Sequence, residues 1–192
     1  MYTARQKEII EASLLLIDAK GIQGLTIKNL AHAIGVTEPA IYRHFENKIE
    51  ILIAILDFYM YDSEEILKDE LQSNDSSVEK VEHLYRKHFL KFNKLPALVS
   101  VIFSEELFRN ETILKEKISD IINRTHSKLS TIVAEGQQNN EIRNDIGAIE
   151  LTVIIMGTLR MFVKKWQMSN NSFNLVEEGE RIITSMKIIV TK

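Results

Sequence analysis

Along most of the chain apolar side chains return every three or four positions, and no stretch alternates in the manner of a strand. The pattern predicts an all-α protein of about nine helices. The first is expected over residues 3–20: Ile9, Ser13, Leu16 and Ile17 share one side, Leu14 widens it, and Gly21 is a natural stop. Thr26 is a good N-cap for a second helix, in which Ile27, Leu30, Ala31 and Ile34 fall at i, i+3, i+4 and i+7 and form one buried face. Gly35 ends it. Thr37 caps the third helix, Pro39 is tolerated in its first turn, and Ile41 and Phe45 point inward together. Only Gly35, Val36 and Thr37 separate the second helix from the third. A three-residue turn with glycine between two short helices is the signature of helix-turn-helix.

A long fourth helix begins near Asn47, with Ile49, Leu52, Leu56 and Tyr59 on its stripe, and the polar stretch 72–77 breaks it. Ser76 and Glu79 form a capping box for a helix that aligns Val78, Val81, Tyr85, His88, Phe89 and Phe92. A short apolar segment follows Pro96 and runs to about Phe108. Asn110 then opens a long helix carrying Leu114, Ile118, Ile121, Leu129 and Ile132. After a loop over 139–145, Asp145 caps a helix that reaches about Met168, and a last helix carries Leu175, Ile182, Met186, Ile189 and Val190. The chain divides into a three-helix domain, residues 1–46, and a larger helical body, residues 47–192, joined by the fourth helix.

The third helix leaves Glu38, Pro39, Ala40, Tyr42 and Arg43 facing outward, with His44 and Lys48 just beyond. Such a helix fits the major groove of B-DNA. Arg43 can donate two bonds to guanine O6 and N7, or hold a phosphate instead. Glu38 can accept from cytosine N4, or simply favour the helix N-terminus. Pro39 and Ala40 offer apolar contact to a thymine methyl. The Tyr42 hydroxyl, His44 and Lys48 suit phosphate oxygens, as do Thr26 and Lys28 on the preceding helix, and Thr37 in the turn completes the candidate set. First-turn amides of the second and fourth helices add anion-binding capacity. The net charge of −3 argues against a general polyanion binder. Its distribution is more telling: residues 1–48 hold 6 basic and 5 acidic side chains, a balance of +1, while the remaining 18 basic and 22 acidic give −4.

The run GLTIKNLAHAIGVTEPAIYRHFENKIEIL, residues 24–52, resembles the DNA-binding motif of the TetR family of bacterial transcription regulators. The matching positions are Thr26, Ala31, the turn Gly35-Val36-Thr37, Tyr42, Phe45 and Lys48. Likeness in sequence covers roughly the first 55 residues; beyond them it rests on length and the order of helices. The resemblance implies a ligand-responsive regulator, a repressor bound as a homodimer to a palindromic DNA operator, its recognition helices about 34–36 Å apart. It implies a small-molecule effector held between the middle helices by Tyr85, His88, Phe89, Phe92, Phe103, Phe108, Met156 and Arg160. The dimer would form through the last two helices, with Ile155, Gly157, Leu159, Phe162, Ile182 and Met186 at the interface. No cofactor is implied. Where the family usually has Gly before Glu in the loop after the seventh helix, this chain has Asn140-Glu141, and Asn is the next best residue for a left-handed backbone.

Plainer readings stand beside these. An aromatic stripe of Tyr85, Phe89, Phe92, Phe103, Phe108, Phe162 and Trp166 is also what an ordinary core looks like, and His88 also fits a satisfied core histidine. The helix over 149–166 is apolar on nearly every side, so it needs partners on two faces: its own core and a second subunit, or one chain's core alone. Gly157 and Gly179 would permit close backbone approach. A buried Arg160 would need an anion, which a ligand, Glu150 or an acid of a second subunit could supply. The apolar body suggests a hydrophobic or amphipathic effector, and a similar body occurs in fatty-acyl-responsive members of the family. The alternative is a protein of the same fold controlled by a protein partner.

Catalysis finds little support: there is no HExxH, glycine-rich phosphate loop or nucleophile elbow, and His83 and His88 are wrongly spaced to share a helix face. The absence of cysteine excludes disulfides, thiolate metal sites and a cysteine nucleophile. No apolar run approaches the roughly 20 residues that span a bilayer, and charges occupy the start where a signal peptide needs its apolar region. A cytoplasmic protein without membrane association is expected.

Overall fold

The computed structural model describes residues 2–191, with Glu105, Glu106 and Phe108 described by backbone alone. Among the described residues there are ten helices and no strand: α1 Ala4–Gly24, α2 Ile27–Ala33, α3 Glu38–Tyr42, α4 Lys48–Gln72, α5 Ser77–Lys94, α6 Ala97–Ile102, α7 Glu105–Asn110, α8 Thr112–Gln138, α9 Ala148–Met168 and α10 Leu175–Val190. The all-α expectation holds. There is one helix more than the periodicity suggests because the segment after Pro96 divides in two: Ser104 turns extended, and its hydroxyl caps α7 by accepting from the Leu107 amide at 3.4 Å.

The helices start and stop for local reasons. Thr3 and Gln6 form a reciprocal capping box on α1. Regular α1 ends at Gly21, whose φ of 69° is a left-handed conformation that favours glycine. At the head of α5 the Ser76 amide donates to the Glu79 carboxylate at 2.9 Å, and the Glu79 amide donates back to the Ser76 hydroxyl. The Ser76 hydroxyl also donates to that carboxylate, at 2.7 Å, and this bond first, then the one from the Ser76 amide, holds the exposed Glu79 carboxyl below its usual pKa.

The chain forms two compact units, Met1–Met60 with Leu95–Ser119 and Tyr61–Lys94 with Asp120–Lys192, so α4 and α8 each contribute to both. In the first unit Ile9, Ile17, Leu30, Ile41, Leu52 and Leu98 are buried, and α6 packs on α1. The second unit is built on an antiparallel pair, α5 and α10: Phe89 meets Gly179, and Arg86 pairs with Glu180 at 2.9 Å. Each fully buried aromatic or branched side chain contributes about 1.5–3 kcal/mol here. The loop before α9 closes this unit. Asn140 takes a left-handed φ of 60°, as its side chain permits. The Glu141 carboxylate accepts from the Ser77 amide at 2.6 Å and caps α5. The Arg143 amide donates to the Val190 carbonyl at 2.8 Å and satisfies the end of α10. Trp166 is buried at the end of α9, its indole N–H donating to the Phe173 carbonyl at 2.9 Å.

Two expected helix starts are corrected. α8 begins at Thr112, because Asn110 closes α7; α9 begins at Ala148 with Gly147 as N-cap, because Asp145 is engaged by Arg143 in two bonds of 2.7 Å.

Candidate nucleic-acid interface

The helix-turn-helix is a rigid turn between two anchored helices. Gly35 adopts φ 69°, and the Val36 amide reaches back to the Ala31 carbonyl at 2.9 Å, a glycine-ended C-cap. Ile41, on the inner side of α3, and Phe45, in the turn just after it, are buried at 0% and 4% exposure. Their burial fixes the rotation of a helix only five residues long and turns the opposite side outward. Glu38, Pro39, Tyr42 and Arg43 are exposed there, and Ala40 and His44 are half-buried.

Several contacts from outside the motif hold it in place. The Gln6 side chain donates to the His44 carbonyl at 3.3 Å, and the Tyr2 ring packs against Phe45 with centroids 6.5 Å apart. The Tyr2 hydroxyl donates to Asp57 on α4 at 2.8 Å; burial first, then that bond, raises its pKa. Sequence reasoning missed Tyr2, Gln6 and Asp57, because their partners lie 38 to 55 positions away.

Thr26 and Lys28 are exposed on the preceding helix. The Thr26 hydroxyl accepts from the Asn29 amide at 3.1 Å, which caps α2 and leaves the amides of its first turn directed outward. Thr37 is the N-cap residue of α3 by position, but its side chain makes no cap bond, so its exposed hydroxyl faces solvent. Lys48 is half-buried, and its ammonium donates to the Ile22 carbonyl at 2.9 Å. It therefore ties the start of α4 to the end of α1 as well as lying beside the outward face. The arrangement offers a short projecting helix with a guanidinium, a phenol and a carboxylate, flanked by hydroxyls, amides and a lysine. That is the donor set for base edges in a groove and phosphates at its rim.

The body places the remaining candidates differently. Tyr85, His88, Phe89 and Phe92 are buried together on α5. The Tyr85 hydroxyl donates to the Ile155 carbonyl at 2.6 Å, and burial raises its pKa. The Phe89 ring meets Tyr85 and Phe162 edge-on at 5.7 and 5.5 Å. His88 Nδ1 lies 2.7 Å from the Leu84 carbonyl, and burial pushes the imidazole down to about 4, so it is neutral near pH 7. Beside it Lys91 pairs with Asp62 at 2.6 Å, and burial lowers the ammonium's pKa. Tyr85 also borders a shallow cleft between α5 and α10, lined by Val78, Val81, Ile183 and Met186, that is too tight to hold a water molecule. Met156 is half-buried on α9, and Phe103 is half-buried in the first unit. The Phe108 side chain lies outside the described residues. Arg160 is exposed, so its charge needs no buried counter-ion. Glu150 is about 15 Å away along α9, with its carboxylate folded over Gly147, and cannot pair with it.

Of the expected interface residues, Ile155 and Met186 are buried within their own chain, at 1% and 2% exposure. Gly157 is open to solvent, and Leu159, Phe162 and Ile182 are half-buried. The large apolar side chains exposed on α9 are Ile149, Val153, Ile154, Met161 and Met168, and those on α10 are Ile188 and Ile189. Gly179 is also reassigned, since a Cβ there would lie 2.5 Å from the Phe89 ring. It serves packing inside the chain.

The exposed three-residue turn and its two anchored helices define a helix-turn-helix protein. Residues 9–55 match the family described as bacterial regulatory proteins, tetR family, and residues 60–189 match the YsiA-like protein C-terminal region. The chain belongs to the TetR family and is a DNA-binding transcription regulator. It is 28% identical to the fatty acid metabolism regulator protein of Bacillus subtilis, over 92% of this chain and 90% of that one. The crystal structure of FadR from Bacillus subtilis in complex with stearoyl-CoA superposes with a TM-score of 0.80 at 25% identity, covering 96% of this chain and 97% of that one. FadR from Bacillus halodurans, a fatty acid degradation regulator, superposes at 0.85 with 22% identity, over 97% and 96%. Among the described residues no helix is long and apolar enough to cross a membrane.

Proposed function

We propose that this regulator is a cytoplasmic repressor that binds a palindromic operator as a homodimer and leaves it when a long-chain acyl thioester binds the body. Residues 1–46 act as the DNA-binding domain and residues 47–192 as the effector and dimerisation domain. No catalytic step is assigned to it. The observation that carries the reading is the outward side of α3, where Tyr42 is 50% exposed and Arg43 stands beside it over a buried Ile41 and Phe45. Arg43 and Glu38 read base edges; Thr26, Lys28, Thr37, Tyr42, His44 and Lys48 hold phosphates. Selection of bound sequences from random duplex DNA tests this: a palindrome with half-sites about one helical turn apart is expected. No enrichment by folded, ligand-free protein would overturn it.

The name of the Bacillus subtilis relative and the stearoyl-CoA bound in the Bacillus subtilis FadR structure support the effector class. The apolar body around Phe89 and Phe162 suits an acyl chain. Its α5–α10 cleft has no room even for a water molecule, so the effector must select a more open packing of these aromatics. That small cleft favours the second reading, control by a protein partner. Adding stearoyl-CoA to the operator complex separates the two. Release of DNA supports the acyl effector; an unchanged complex, with no acyl species extracted from purified protein, supports the partner.

A further inference from the structure

In the second unit, where the end of α4 meets the start of α5, three metal-ligating side chains converge that DNA binding and the effector body leave unused. Glu70 comes from the last turns of α4, Asp75 from the connecting loop and His83 from α5. His83 Nδ1 is 3.3 Å from Glu70 Oε2 and 3.6 Å from Asp75 Oδ2, and the three ligating atoms lie within 4.8 Å of one another. A tetrahedral ion with bonds of about 2.0–2.2 Å has ligand atoms about 3.3–3.6 Å apart. Two of the three separations already match that edge. One imidazole nitrogen carries at most one hydrogen, so Nδ1 cannot serve both carboxylates well as a donor. A cation between the three atoms would serve all of them.

The outer contacts fit such a site. Glu70, only 4% exposed in its side chain, has its other oxygen held by the Lys87 ammonium at 2.7 Å. The Ser73 hydroxyl donates to Asp75 Oδ2 at 3.0 Å. These bonds orient the carboxylates as outer partners orient metal ligands elsewhere. The His83 and Asp75 side chains are 40% and 46% exposed, which leaves an entry path and a position for water. An imidazole with two carboxylates excludes ions that take oxygen ligands alone and suits a divalent first-row ion. Lys87 offsets part of the anionic charge, so the site binds less tightly than an all-anionic one.

We propose that Glu70, Asp75 and His83 hold one divalent transition-metal ion, with Zn²⁺ as the test ion and water as a fourth ligand. The ion would clamp the end of α4 to α5 across the loop at 73–76. The test is titration of the chelator-stripped full chain with Zn²⁺, read by calorimetry, together with Co²⁺ absorption to report coordination. One ion per chain is expected, with a rise in melting temperature and tetrahedral Co²⁺ bands. His83→Gln should weaken binding at least tenfold. Asp75→Asn, a nearly isosteric change in an exposed loop, should do the same. Absence of saturable binding to the wild type would overturn the proposal, and so would unchanged affinity in both variants while circular dichroism shows them folded.

Discussion

α3 and α9 both present a bare side to solvent, and the two sides are opposite in chemistry. α3 offers Glu38, Tyr42 and, at its C-cap, Arg43, which water solvates and polar partners can read. α9 offers Ile149, Val153, Met161 and Met168, four large apolar side chains between 56% and 75% exposed. Isolated exposed apolar residues are ordinary, but a stripe of them along one helix is the kind of surface a partner covers. Under the proposed homodimer the same stripe on a second copy covers it, a symmetric isologous interface. A polar projection can stay bare until it meets its ligand. An apolar one stays bare only at a cost in solubility.

The largest expected effect comes from breaking the apolar side. Met161→Asp would place like charges in a self-facing patch, at a cost of several kcal/mol to association. Sedimentation should show monomers, and operator binding should fall with the dimer; an unchanged dimer would remove α9 from the interface. Next is the pH response of the body. His88 titrates near 6.5 when unfolded and near 4 when folded, so between those values the unfolded chain binds more protons. Stability is therefore full above about pH 6.5 and declines as pH falls toward 4, by up to about 3 kcal/mol. Urea denaturation across that range should show the decline, and His88→Gln should flatten it.

Gly179→Ala sharpens the distinction between packing and interface. The new methyl meets the buried Phe89 ring, and overpacking of this kind costs about 1–3 kcal/mol, partly offset by the better helix propensity of alanine, about 1 kcal/mol. Phe89→Leu in the same chain should recover part of the loss without altering the oligomeric state. The smallest effect is on the polar side. Lys28→Ala should leave stability unchanged and lower the salt slope of DNA binding by about 0.9, one phosphate contact. An unchanged slope would place Lys28 off the DNA.

The polar side was the more legible in the sequence, because its signals are local. The Thr26 cap, the glycine turn at Gly35 and the Ile41–Phe45 pair each act within a few residues, and each is found. The capping box of Ser76 and Glu79 and the left-handed Asn140 were readable for the same reason. The apolar side was harder. A helix that is hydrophobic all round has no polar residue to fix its rotation, so Ile155 and Ile154 exchange roles through a turn of about 100°. Asp145 looked like a cap, but Arg143, itself held by the Val190 carbonyl, claims it. Gly179 answers to Phe89, ninety positions earlier, and Glu70, Asp75 and His83 come from three successive elements. Such pairings exist only once the chain has folded.

Trp166 gives the molecule a built-in lamp. It is the single tryptophan of the chain, buried at 3% exposure with its indole hydrogen held by the Phe173 carbonyl. A sheltered indole emits at shorter wavelength than one in water. Emission excited on the red edge of the indole band thus comes from one corner of the body, where α9 turns toward α10, while the DNA-reading helices remain dark. Wetting of that corner will shift the colour without any attached dye, and fraying of the helix-turn-helix will not.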